Sequence, residues 1–133
     1  MNSRRFAISL FSLFLAALPA LAHHSFSAEY DQSKPIKVTG VVTKVEWLNP
    51  HIWFYVDAKD ENGKVTSWAF SGGAPGQLMR RGVTHDKIQP GMMVVVEGFQ
   101  AKDASNNAWG GKVTFEDGRS VFTAGTDVPD GKK

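Results

Sequence analysis

The stretch Gly-Val-Val-Thr-Lys-Val-Glu-Trp-Leu-Asn-Pro-His-Ile-Trp-Phe-Tyr-Val-Asp, residues 40–57, decides the fold. Apolar and polar side chains alternate on both sides of Asn49-Pro50, which is the pattern of two half-buried strands. Proline has no N–H for a strand ladder and restricts the residue before it. The pair is therefore predicted to form a fixed corner, and Gly40 is predicted to allow a bulge or a close backbone approach.

The alternation also assigns faces to the side chains around this corner. His51 falls on the face opposite the predicted core, where the N-terminal part of the chain could cover it. Its neighbours on that face are Trp53, Tyr55 and Asp57. The residues predicted to point toward the core are Val41, Val45, Trp47, Ile52, Phe54 and Val56.

The rest of the sequence predicts further strands and one short helix. The helix is expected at Gln77–Arg81, after Pro75 and ended by Gly82. The predicted strands are Val38–Leu48, His51–Ala58, Lys64–Phe70, Met92–Phe99, Trp109–Phe115 and Ser120–Phe122. Three strands, a short helix and further strands are typical of a small all-β, OB-fold-like barrel of five to six strands. A small sandwich is the alternative.

The first residues have the features of a signal peptide. Arg4-Arg5 is a basic start, Phe6–Leu18 is mainly apolar, and Pro19–Ala22 ends in small residues. We expect residues 1–22 to be removed on export to a bacterial periplasm, which leaves no stable membrane span. The expected organisation is then an N-terminal arm at 23–35, an OB-like β-barrel domain at 36–122 and a flexible tail at 123–133.

Charge and cysteine content exclude two classes of site. The sequence has 15 Lys and Arg against 13 Asp and Glu, but the leader holds Arg4 and Arg5 and no acidic residue. The mature chain is therefore balanced in charge, which argues against nucleic acid as a partner. The absence of cysteine excludes thiolate metal sites.

Cleavage after Ala22 would make His23 the first residue, and this suggests a metal site. Its free amine has a reference pKa of about 8, so amine and imidazole can chelate one ion together. A second imidazole, from His24, His51 or His85, would complete a nitrogen set that suits Cu(II). His51 is the predicted opposing ligand and His24 a spare one. A further set, Met79, Met92 and Met93, is predicted to fill core gaps rather than bind Cu(I).

Three motifs resemble a known family. They are His-His-Ser-Phe at residues 23–26, the central stretch ending in Asn-Pro-His at residues 49–51, and a late Gly-x-x-Val-x-Val-x-Gly-type strand. Together they resemble the small secreted bacterial proteins grouped as domain of unknown function 6152, over residue 23 to about 122. The resemblance implies export and a small β-barrel, and it implies no established activity. The N-terminal histidine is also similar to histidine-brace copper proteins, as an analogy of chemistry.

These observations favour a non-enzymatic periplasmic binding protein that holds copper through His23, His24 and His51. No Ser-His-Asp set has the order or context for nucleophilic catalysis. One alternative is a metal-free module that binds a small ligand or a protein through an aromatic face of the barrel. Another is a copper-dependent redox enzyme, which would need an open coordination position.

Overall fold

The structure is a computed structural model that describes residues 26–123, and most of this part is β-structure. The strands are β1 Tyr30–Trp47, β2 Ile52–Lys59, β3 Val65–Ser71, β4 Met93–Ala101, β5 Asn107–Phe115 and β6 Ser120–Phe122. A short helix, Pro75–Arg80, separates β3 from β4, and residues 26–29 are also helical. No helix within residues 26–123 combines the length and apolar character needed to cross a bilayer.

The six strands form one sheet in the order β3-β2-β1-β4-β5-β6. Neighbours in this order run antiparallel. In addition, β3 pairs in parallel with β5, where Ala69, Phe70 and Ser71 lie opposite Asn107, Ala108 and Trp109. The all-β class and the short helix predicted from the sequence are thus confirmed.

The core lies on the inner face of the sheet. Phe54 of β2 and Phe70 of β3 stack at its centre, with ring centroids 5.3 Å apart and no exposed surface. Each large apolar side chain buried in this way stabilises the fold by about 1.5 to 3 kcal/mol. The buried residues of this cluster are Val38, Val42, Ile52, Phe54, Val56, Phe70, Leu78, Val83, Ile88, Val94, Val96, Ala108 and Val113.

The predicted corner at Asn49-Pro50 is confirmed, and its peptide bond is cis. Just after it, the Ile52 N–H donates to the carbonyl of Gly73 at 3.0 Å, and the Gly72 N–H donates to the carbonyl of Ile52 at 2.9 Å. These two bonds tie the corner to the loop that follows β3. They fix the direction in which β2 starts and therefore the place of His51.

The sequence prediction was wrong about the face of Val41. A register shift lies between Val42 and Lys44, where Thr43 is an extra residue opposite β2. A bulge of this kind reverses the alternation along the strand. Before it, Val42 rather than Val41 is buried in the core, and after it Val45 and Trp47 pack against the core as predicted.

The first strand starts earlier than predicted, at Tyr30, inside the segment expected to be an arm. Tyr30 lies opposite Ala101, and Pro35 lies opposite Phe99. These residues form strand because β4 continues to Ala101 and offers partners, which local sequence cannot reveal.

The methionine prediction was right for Met92, which packs against the core. It was wrong for Met79 and Met93, whose exposed fractions are 42% and 39%. Met79 projects from the outer side of the short helix, because Leu78 takes the buried position there. Met93 precedes the buried Val94 and so falls on the other face of β4.

Gly40→Ala should destabilise the fold. A Cβ at Gly40 would lie 2.2 Å from the carbonyl oxygen of Asp57, so β1 and β2 would have to separate. We expect a loss of about 1 to 3 kcal/mol in the free energy of unfolding, measured by urea titration. Gly76→Ala is the matched control, because its nearest neighbour is the Arg80 guanidinium at 3.5 Å. Equal stability of the two variants would contradict the close approach.

Candidate functional site

A second, smaller apolar cluster lies on the outer face of the sheet. The alternation along β5 places it there: Gly110 faces the core, since a Cβ on it would lie 2.7 Å from the Phe54 ring. Trp109, the residue before Gly110, therefore points to the opposite side. Its partners in this cluster are Phe26, Tyr30, Ala101 and, partly buried, Phe99.

Trp109 is the centre of this cluster and only 2% exposed. Three aromatic rings surround its indole. Phe26 lies edge-on with centroids 5.5 Å apart, Tyr30 is tilted at 5.8 Å, and His51 lies edge-on at 5.7 Å. Such edge-to-face pairs contribute about 0.5 to 1.5 kcal/mol beyond their buried area, so the indole orients all three neighbours.

His51 occupies the position that the sequence predicts, on the outer face directly after the corner, and it is half-buried. Its contact is the indole of Trp109. Phe26 is 3% exposed and touches the same indole. The distance between the ring centroids of His51 and Phe26 is therefore at most the sum of their distances to the Trp109 indole, which are 5.7 and 5.5 Å.

The predicted ligands His23 and His24 lie outside the described residues. His23 precedes Phe26 by three positions, a span of at most about 10 Å in extended chain. Phe26, the first described residue, thus packs against the same tryptophan that contacts His51.

Tyr30 anchors the start of β1 beneath this cluster. Its hydroxyl shares a buried hydrogen bond of 2.7 Å with the Ser71 hydroxyl at the end of β3. Burial raises the pKa of Tyr30 to about 12, because the phenolate would lose its hydration. The phenol therefore stays neutral, and the hydrogen bond holds β1 against the strand end beside the corner.

The indole Nε1 of Trp109 is buried and has no hydrogen-bond partner within residues 26–123. An unsatisfied buried donor costs about 1 to 3 kcal/mol. The site therefore offers one N–H donor to an acceptor from outside this part of the chain.

Thr123 brings the end of the described chain to the same region. Its N–H and hydroxyl donate to the carbonyls of Gly111 and Gly110, at 3.1 and 2.6 Å. Its carbonyl accepts the N–H of Gly73 at 2.6 Å. Thr123 was predicted to start the flexible tail; the structure instead buries it between β5 and the loop that holds Ile52. Residues 124–133 lie outside the described part.

His85 is placed elsewhere. It is exposed and stacks on Trp47, with centroids 4.3 Å apart and planes at 22°. Among residues 26–123, no group of three or more His, Asp or Glu side chains could hold a metal ion. Of the predicted ligands His23, His24 and His51, only His51 lies in the described part, so a metal bound there would need further donors from outside residues 26–123.

Comparison with known proteins identifies the family. The model of a family of unknown function, DUF6152, matches residues 12–110. The chain belongs to this family. The family predicted from the sequence motifs is thereby confirmed, with a match that begins and ends earlier than the predicted range of residue 23 to about 122, and membership assigns no activity. No curated protein matches the chain.

Sequence reasoning missed the role of Trp109. The signal was present, since Ala108 and Gly110 are small residues that suit crowded inward positions and leave Trp109 on the outer face. It was not decisive, because the partners of Trp109 come from residues 26, 30 and 51, and only the strand pairing brings these together.

Tyr30→Phe should reveal the buried phenol through its pH dependence. The pKa of Tyr30 rises from 10.0 to about 12 on folding. The contribution of the neutral phenol to the stability of the fold is therefore complete below pH 10 and is lost as the pH approaches 12. At pH 8 the variant should be less stable by about 1 kcal/mol, through loss of the hydrogen bond to Ser71.

At about pH 11.5 Tyr30 is ionised in the unfolded state and still mostly neutral in the folded state, so the free energy of unfolding of the wild type should be lower by about 2 kcal/mol than at pH 8. The variant should then be the more stable of the two proteins. Urea titrations at both pH values measure this difference, and other groups cancel in the comparison. A constant gap between the two proteins would contradict the burial of the phenol.

Proposed function

We propose that this protein is an exported, periplasmic binding protein that holds Cu(II) through its mature N-terminus. His23 would provide the amine and one imidazole, and His51 the opposing imidazole. The observation that carries the proposal is the shared contact with Trp109: Phe26, three residues after His23, and His51 both pack against one buried indole. The described part of the chain therefore begins, at Phe26, close to His51.

The chemistry of the donors fits this ion. An amine and two neutral imidazoles form a nitrogen set, and Cu(II) ranks highest for such sites among the divalent first-row metals. The amine deprotonates at modest cost, given its reference pKa of about 8. His24 is a spare ligand that could exchange with either imidazole.

Trp109 would act as the support of this site. Its edge-on contact limits rotation of the His51 ring, and its contact with Phe26 limits the positions that the N-terminus can take. Groups that orient a ligand in this way commonly change metal affinity by about 10- to 100-fold. The buried Nε1–H is also available to a backbone carbonyl of residues 23–25.

The scaffold for this site is proposed to be an OB-fold-like barrel. The parallel pairing of β3 with β5 supports this, since it joins two strands that are not neighbours in the main order of the sheet. The short helix between β3 and β4 is the position expected for such a barrel. Export is supported by the signal-peptide features of residues 1–22.

The metal-free alternative, a module that uses an aromatic face, has less support. Trp53 and Tyr55 on the outer face of β2 are only half-exposed. Tyr55 is also occupied, because its hydroxyl donates to Glu46 at 2.9 Å and the Lys44 ammonium lies 5.5 Å from its ring. No observation favours the redox-enzyme alternative over simple binding.

Copper titration of the correctly cleaved protein tests the proposal. The protein that begins at His23 should bind Cu(II), and the same protein with its N-terminal amine acetylated should bind about tenfold or more weakly. Acetylation removes the amine donor and leaves every side chain in place. Calorimetry in competition with a chelator measures both affinities.

His51→Ala should weaken binding by a similar factor, and His85→Ala is its matched control because His85 contacts Trp47 instead. Equal affinity of the acetylated and the unmodified protein would rule out the N-terminal chelate. Equal loss in the two histidine variants would rule out His51 as a specific ligand.

A further inference from the structure

An open groove crosses the outer face of β1, β4 and β5. It lies next to the outer apolar cluster of Trp109, Phe26, Tyr30, Ala101 and Phe99. Its volume is about 530 Å³, within the range of about 300 to 1,000 Å³ typical of small-molecule sites. Pro35 and Phe99, which lie opposite each other, are its apolar walls, and the backbone of Ile36, Gly98 and Gly111 forms its floor. The surface it presents is mostly apolar.

The floor of the groove is backbone, and two of its residues are glycines with little or no room for a side chain. A Cβ on Gly98 would lie 1.7 Å from the carbonyl oxygen of Trp109, and one on Gly111 would lie 3.3 Å from the carbonyl oxygen of Glu97. The register of β4 and β5 shifts between Glu97 and Gly98, which brings the two backbones together here. The floor is therefore a built feature of the β4–β5 pairing.

The rim of the groove carries one uncompensated positive charge. Lys37, Glu97 and Lys112 lie opposite one another across β1, β4 and β5. Glu97 forms an ion pair with Lys112 at 3.8 Å. Lys37 is exposed and forms no ion pair within residues 26–123. An apolar groove with a free ammonium group at its edge is complementary to a molecule with an apolar body and one negative charge.

We propose that this groove binds a small amphipathic carboxylate. The apolar body would lie over Gly98 and Gly111 against Phe99, and the carboxylate would pair with the Lys37 ammonium. This site uses none of the proposed copper ligands. It therefore stands or falls independently of the copper proposal.

Titration with hydrocinnamate, followed by amide nitrogen–proton correlation spectra, tests the proposal. Hydrocinnamate should shift the amide signals of Ile36, Gly98, Phe99 and Gly111 in a saturable manner. Hydrocinnamamide, which has the same body without the charge, should bind about threefold or more weakly. Shifts that lie elsewhere, or equal affinity for acid and amide, would overturn the proposal.

Charge variants sharpen this test. Lys37→Met keeps the apolar stem and should lower the affinity for hydrocinnamate about threefold, to that of the amide. Glu97→Gln removes the carboxylate opposite Lys37 and should raise the affinity for hydrocinnamate. Lys64→Met, at the exposed turn before β3, is the matched control and should change nothing. An equal effect of Lys37→Met and Lys64→Met would overturn the assignment of Lys37.

Discussion

The contact of Trp109 with three other aromatic rings is the interaction on which the candidate site depends. The indole is buried on the outer face of the sheet, where a strand side chain would normally meet solvent. It is buried because Phe26 and Tyr30 cover it from the N-terminal side and His51 meets it from the corner. One residue of β5 thus joins the start of the described chain to the corner before β2, although the two are distant in sequence.

The main core makes this arrangement possible by fixing the strands beneath it. Gly110 sits against Phe54, which permits close contact between β5 and β2, and Thr123 bonds to the backbone of both Gly110 and Gly73. Gly73 in turn accepts the N–H of Ile52, so the corner, the β3 end and the β5 bend form one hydrogen-bonded unit. The outer cluster rests on this unit, and its geometry follows from it.

Much of this fold was readable from the sequence because its signals are local. Alternation around Asn49-Pro50 predicts β2 and its buried face, and Pro75 with Gly82 brackets the short helix. The bulge at Thr43 was not readable, since an extra residue appears only against its partner strand. The early start of β1 was not readable either, because it depends on partners in β4. The position of His51 was predicted correctly, whereas its contact with Trp109 needed the pairing of strands.

Paramagnetic line broadening by Cu(II), in protein that begins at His23, tests the central claim most directly. Bound Cu(II) relaxes only nearby nuclei. The account predicts that substoichiometric Cu(II) broadens the side-chain signals of His51, Phe26 and Trp109 and leaves those of Lys59 and Val65, at the far end of the β2–β3 hairpin, sharp. Broadening centred on His85, or spread evenly over the surface, would contradict it.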